Sequence, residues 1–308
     1  MKHVCSKIRG YLKSARLESI IVTSTFLIIA EWYSIHDIPL IVTLLTIFSL
    51  ALIVTAGSWQ NYVYDIEIDK KAGKNIGFFQ YISPKEMLFF SFILIAIALG
   101  VLWYIDFYAF IIGLIEAIVF LIYSAPPIRL KTKAVFDFIA NSLVFGAFPF
   151  FIGYTITQHT LNRTAIAIGL ILGLLAGSYY LFISSFEIES DKKAGVKNTC
   201  TYLGFKHTIN IGITIFLLSF ILYLIFFNFS NRIILVSYLV SLPLVALTKF
   251  TKNTQIKILL VSFIFLIWNG AILLLISIYT TSIISILLFL VILAIFIMAI
   301  YTYMVTEV

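Results

Sequence analysis

The sequence predicts an all-α protein, a helical bundle that crosses a membrane many times. Three observations carry this reading. The chain is 62% apolar and only 11% charged, far outside the range of a soluble domain. Its apolar residues gather into runs that reach or approach the ~20 residues needed to cross ~30 Å of hydrocarbon. The runs are continuous rather than alternating, which suits helices and not a closed barrel.

Taken in order, Met1 to Glu18 are basic and amphipathic, and no cleavage-site pattern follows them. They read as an interfacial lead-in to the first span. Spans are expected near 19–35, 39–60, 87–105, 107–124, 135–156, 164–186, 208–228, 232–248, 257–279 and 282–304. Ten spans put both ends on one side. No low-complexity linker divides the chain, so residues 1–308 read as one domain of two related halves plus closing helices. Of the 21 Lys and Arg residues, only Arg163 and Arg232 fall on one side. The other side is therefore cytoplasmic, in a multi-pass protein of the cell membrane. The net charge of +7 reflects this bias and not a nucleic-acid partner. Cys5 and Cys200 fall on the reducing side and read as unpaired.

Two cytoplasmic connections, 61–86 and 187–207, carry matching acidic stretches. The first reads Asn61-Tyr-Val-Tyr-Asp65-Ile-Glu67-Ile-Asp69 and the second Glu187-Ile-Glu189-Ser-Asp191. Each continues into Lys-Lys-Ala-Gly, 122 positions apart. Asn61, Asp65 and Asp69 share one helix face at this spacing. Six of the 14 acidic residues lie in these two stretches. Grouped carboxylates repel one another unless a cation joins them. Hard oxygen donors suit Mg²⁺, which takes one or two carboxylates and completes its shell with water and substrate phosphate. Two facing clusters can thus hold two such ions around one diphosphate. Both motifs lie on the same side, which makes the repeat parallel.

The basic complement is Tyr123-Ser-Ala-Pro-Pro-Ile-Arg129-Leu-Lys131-Thr-Lys133, where two prolines stop a span and Arg and Lys follow. Arg grips phosphate with two parallel bonds, whereas Lys acts as a point charge. Lys70, Lys74, Lys192 and Lys197 surround the same face, a placement that positive-inside bias also explains. Asp137 and Asn141 form a further polar face, with Asp137 open to a local pairing with Lys133. Glu31 and Glu116 lie inside apolar runs and are either functional or structural. Trp59, Tyr62, Tyr64, Tyr123, Tyr179 and Tyr180 adjoin the acids, and their rings suit either packing or the shielding of a cation. No Walker loop, dinucleotide fingerprint, serine elbow or Cys/His metal spacing is present.

At these residues the chain resembles the UbiA superfamily of intramembrane prenyltransferases. Asn61-x-x-x-Asp65-x-x-x-Asp69 is similar to the first family motif. Glu187-x-x-x-Asp191 is similar to the second, with Glu where Asp is usual. The Tyr123 to Lys131 stretch is similar to a third, and Arg16-Leu17 resembles the basic start of the first helix. The 4-hydroxybenzoate polyprenyltransferase-like pattern of this superfamily covers the chain from about Arg16 to the last spans. The second motif and the Pro-Pro stretch are nearer the lycopene elongase-like branch. The usual Asn-Arg-Pro run after the first motif is replaced by Lys74-Asn-Ile-Gly77, which argues against the common quinone-type acceptors.

The resemblance implies a bundle of nine helices, one fewer than the span count, around a central cavity open sideways to lipid. It implies Mg²⁺ on Asn61, Asp65, Asp69, Glu187 and Asp191. It implies an isoprenyl diphosphate held by Arg16, Asn61, Lys74, Tyr123, Arg129, Lys131 and Lys197, and a hydrophobic acceptor drawn from the lipid bilayer. Catalysis falls to Asp65, Asp69, Asp191 and Lys131, which together promote ionisation of the diphosphate. A terpene cyclase on the same fold, quenching the cation internally, stays open because the Asn-Arg-Pro run is missing. A lipid-diphosphate transporter is a further rival, disfavoured by acidic motifs at one face alone.

Overall fold

A computed structural model describes residues 14–34, 38–72 and 77–227, together with Lys7, Gly10, Tyr11, Tyr238, Leu239, Ser241, Leu242, Pro243 and Val245. Every regular element among them is helical. In chain order the helices are α1 (Leu17–Ser34), α2 (Leu40–Ala72), α3 (Pro84–Ile105), α4 (Phe107–Ser124), α5 (Phe136–Gln158), α6 (Arg163–Ser184), α7 (Ile188–Lys193) and α8 (Thr199–Phe227). Six of them, α2 to α6 and α8, are long and apolar enough to cross a membrane. The eighteen-residue α1 carries Glu18 and Glu31 and stands apart from that set. The spans expected at 257–279 and 282–304 lie outside the described residues, as does most of 232–248.

The bundle follows a simple neighbour order. α1 lies against α5 and α2; α2 packs on α3 and α4; α4 meets α5; α5 meets α6; and α6 meets α8. One apolar core, with Leu27, Ile53, Phe120 and Ile152, fills the space among α1 to α5. A second, with Phe26, Phe150, Leu172 and Phe216, joins α1 and α5 to α6 and α8. Outside, Phe89 and Tyr104 stand 64% and 85% exposed, which only a hydrocarbon or interfacial surround makes favourable. Without a hydrophobic force between helices in lipid, close approach relies on small residues. A Cβ on Gly146 would lie 2.7 Å from the Gly173 Cα, and one on Gly153 would lie 2.5 Å from the Leu27 carbonyl. α5 therefore touches α6 and α1 backbone to backbone. A π turn at Leu143–Ala147 shifts the register of α5 at this contact.

Two connections differ from the sequence expectation. The connection placed at 61–86 is helical as far as Ala72, making α2 33 residues long. That is about 50 Å against ~30 Å of hydrocarbon, so the acidic end of α2 projects past the apolar layer as a rigid arm. The connection at 187–207 instead folds as a separate short helix, α7, after a turn at Ser184 to Glu187. The two acidic arms share residues but not shape. Gly195, at φ 77°, closes α7 and sends the chain into α8, and Gly204, at φ 74°, kinks α8 just past its start.

The amino-terminal arm docks on the same end of the bundle. Lys7 pairs with Glu86 at 2.9 Å, Tyr11 donates to Glu86 at 3.2 Å, and the Tyr11 ring lies 4.9 Å from that of Trp59.

Candidate active site

The site is built where α2 outruns the bilayer. On this arm Asp65 and Asp69 face inward, 6% and 9% exposed, while Glu67 points to solvent and pairs with Lys70 at 3.3 Å. On α7 the pattern repeats: Asp191 is buried, Glu187 half-buried and Glu189 exposed. α7 packs directly against α2, so the two acidic arms share one space at one end of the bundle.

The loop after α4 supplies the cations. The chain leaves α4 at Ala125, turns at Arg129 with φ 46°, and forms a short 3₁₀ turn over Leu130–Thr132. This turn folds the loop back onto α2. The Arg129 guanidinium donates to Asp65 Oδ1 at 2.8 Å and to the Tyr64 carbonyl at 3.1 Å. The Lys131 ammonium donates to Asn61 Oδ1 at 3.0 Å and also meets Asp65 Oδ2. Burial and the Arg16 guanidinium pull the Lys131 ammonium down to about 7, while the Asp191 carboxylate works against them. Lys131 is thus bound to the first acidic arm, on which α7 of the second packs. Arg16, just before α1, donates through Nε to Tyr62 at 3.2 Å and lies 5.1 Å from that ring's centre. Tyr62, with weaker help from Glu18 and Glu187, holds the Arg16 guanidinium above its ordinary value against desolvation.

Asp191 is held from the following segment. Asn198 donates to Asp191 Oδ2 at 2.8 Å while its own Oδ1 accepts from the Thr201 N–H, capping α8. Beneath the site Tyr123 accepts from Asn141 at 3.1 Å. Asp137 makes no side-chain pair with Lys133, the local partner considered from sequence. Its carboxylate instead accepts from Tyr180 and Thr199, because Lys133 is exposed while the Asp137 side chain turns into the bundle.

Of the sequence-derived candidates, Asn61, Asp65, Asp69, Arg129, Lys131, Arg16, Glu187 and Asp191 gather at this end, with Tyr123 below. Lys197, Lys192 and Lys193 are exposed, and Lys74 lies outside the described residues. Sequence reasoning missed Asn198. Its signal was its place just past the Gly195 turn, where an Asn preceding a helix is a good cap.

Among the described residues no three His, Cys, Asp or Glu side chains come together as a ready-made metal cluster. The donor set still fits Mg²⁺. Asn61, Asp65 and Asp69 on one arm and Glu187 and Asp191 on the other all offer oxygen, and this ion uses one or two carboxylates together with water and substrate phosphate. The opposed cations Arg129 and Lys131 supply the phosphate-binding groups.

Fold and site together define a membrane-embedded helical bundle with facing acidic arms and a basic loop at one end. The chain belongs to the UbiA prenyltransferase family, whose model matches residues 20–269. It is 28% identical over 163 residues to the protoheme IX farnesyltransferase of Acinetobacter baylyi, covering 52% of this chain and 55% of that protein. It is 31% identical over 109 residues to the lycopene elongase/hydratase of Haloarcula japonica, covering 35% and 34%. The chain thus spans about half the length, or less, of these curated relatives. The fold is similar to that of a UbiA homolog from Archaeoglobus fulgidus bound to GPP and Mg²⁺, with TM-score 0.70 and 22% identity over 87% of this chain and 99% of that one. It is also similar to a UbiA homolog from Aeropyrum pernix K1, with TM-score 0.66 and 15% identity over 84% and 98%.

Proposed function

We propose that this chain is an intramembrane prenyltransferase, which ionises an isoprenyl diphosphate and passes the prenyl group to a hydrophobic acceptor in the bilayer. One observation carries the reading: Arg129 and Lys131 converge on Asp65 and Asn61 of one acidic arm, and α7, which bears Asp191 of the other, packs against that same arm. Such alternating charge suits a diphosphate and its counter-cations. Asn61, Asp65 and Asp69 on α2, with Glu187 and Asp191 on the α7 arm, would hold Mg²⁺. When bound, that ion would neutralise charge on the leaving diphosphate.

The residues of the chain account for the remaining work. Arg129 and Lys131 move from carboxylate to phosphate oxygens and stabilise the charge that grows as the C1–O bond breaks. Arg16, which donates to Tyr62 of the first arm, adds a third cation. The apolar core below keeps water from the allylic cation. The acceptor supplies an electron pair to C1 and then loses a proton. The distribution of Lys and Arg supports placing this end of the bundle in the cytoplasm.

The test is direct. Purified protein in nanodiscs is incubated with a panel of isoprenyl diphosphates, native lipids and Mg²⁺. Release of inorganic diphosphate together with a prenylated lipid, seen by mass spectrometry and stopped by chelation, is the expected result. A cyclic hydrocarbon or alcohol formed without acceptor, or binding without diphosphate release, overturns it.

A further inference from the structure

Asp137 belongs to neither acidic motif, yet both of its carboxylate oxygens are engaged by side chain and backbone from other helices. It is 0% exposed, at the first turn of α5. Tyr180 of α6 donates to its Oδ2 at 2.8 Å and the Thr199 N–H donates to the same oxygen at 3.0 Å. The Thr199 hydroxyl donates to its Oδ1. That hydroxyl also accepts from the Val135 N–H at 2.7 Å. Val135 has φ 74°, a conformation that costs a β-branched residue free energy and persists only where its surroundings impose it. Thr199 therefore ties the first residue of α8 to the end of the basic loop.

Its chain neighbour is Asn198, the residue that holds Asp191. With Thr199 fixed by two bonds to one buried carboxylate, Asn198 has little freedom, and neither has the carboxylate it grips. The route runs from Asp137 through Thr199 and the adjoining peptide to Asn198 and Asp191. We propose that Asp137 is a positioning residue for the second acidic arm, setting the place of Asp191 relative to Asp65 and Lys131. It acts through the hydrogen bonds it accepts and touches no substrate. The inference rests on the reading that Asp191 helps hold the divalent ion and diphosphate.

The experiment compares Asp137→Asn, Thr199→Val and Thr199→Ser with the unaltered protein in nanodiscs. Mn²⁺ binding in the presence of a non-hydrolysable prenyl diphosphate analogue is followed by electron paramagnetic resonance. The Mg²⁺ concentration giving half-maximal diphosphate release is measured in parallel. Partners one step removed from metal ligands typically alter affinity 10- to 100-fold. Asp137→Asn and Thr199→Val act through Asn198, the partner one step removed, and should weaken Mn²⁺ binding by about tenfold, the low end of that range. They should raise the Mg²⁺ requirement in step and leave the KM for the acceptor unchanged, and Thr199→Ser should restore both. Normal Mn²⁺ binding in Thr199→Val overturns the proposal, even if Asp137→Asn fails to fold. Asp191→Ala separates the two levels: if it binds Mn²⁺ normally, the assignment of the arm itself is wrong, whereas its failure alongside normal binding in Thr199→Val condemns the role of Asp137 alone.

Discussion

Arg129 reaches Asp65 at 2.8 Å across 64 residues of sequence, and this pair welds the basic loop to the first acidic arm. The Asp65 side chain is 9% exposed and also meets Lys131, so a single carboxylate answers two cations. Removing one member of such a buried set leaves the others uncompensated, at a cost of about 3–5 kcal/mol. Asp65→Ala is therefore expected to abolish diphosphate release and also to lower the thermal unfolding midpoint in detergent. Asp65→Asn keeps the shape and an acceptor oxygen, and should lose activity with a smaller fall in stability. Full turnover in either variant removes Asp65 from the mechanism.

Arg129→Lys isolates geometry from charge. The guanidinium serves Asp65 and the Tyr64 carbonyl together through one nitrogen, and its fork also matches phosphate. An ammonium on a flexible four-carbon stem keeps the charge and loses the fork. Charge-assisted bonds contribute about 1.5–3 kcal/mol. The expected result is a KM for the diphosphate substrate raised by roughly 10- to 100-fold, with the acceptor KM unaltered. An unchanged diphosphate KM in steady-state kinetics would show that Arg129 serves only to anchor the loop.

Much of this site was legible in the sequence because its chemistry is written in residue types at helical spacing. Asn61, Asp65 and Asp69 share a face at i, i+4 and i+8, and the inward and outward acids fall as the spacing implies. The end of α2 was misjudged because hydropathy reports where hydrocarbon ends and not where hydrogen bonding ends, and the helix continues through polar residues to Ala72. The second motif repeats the acidic pattern of the first, with Glu187 for Asp65 and Ser190 for Ile68, yet a turn precedes α7, so similar sequence took two shapes under different tertiary contacts. The partners of Asp137 were illegible, since Tyr180 and Thr199 are 43 and 62 residues away and no local pattern announces them.

The contact between α5 and α6 is set by backbone and allows a sharp comparison. A Cβ on Gly146 would meet the Gly173 Cα and the Leu172 carbonyl oxygen, each at 2.7 Å, and neither can rotate away. Gly146→Ala must push the helices apart, at about 1–3 kcal/mol. Gly100, by contrast, lies on the exposed face of α3, and no described residue comes within 4 Å of the added carbon. There alanine is the better helix former, and Gly100→Ala should be neutral or gain up to about 1 kcal/mol. Thermal unfolding of the two variants side by side checks this, and equal midpoints would contradict the close approach.

Glu116 shows the opposite of the engaged carboxylates. It lies on the buried face of α4 with Ile112, Gly113 and Phe120, is 0% exposed, and among the described residues neither of its carboxylate oxygens meets a hydrogen-bond partner. Glu31, the other acid within an apolar run, has Thr43 donating to it at 2.8 Å. With no accessible surface, the Glu116 side chain borders no space in which a substrate could sit, so the arrangement favours a structural over a chemical role. An unpartnered buried polar group costs about 1–3 kcal/mol, and leucine offers a similar bulk without that cost. Glu116→Leu is expected to raise stability by about this amount while leaving diphosphate release intact, and Glu116→Gln, still polar, should gain less. The measurement is thermal unfolding in detergent paired with diphosphate release. A less stable, inactive Glu116→Leu would mean that the carboxyl serves the reaction, and the core around Phe120 would then have to open to admit substrate.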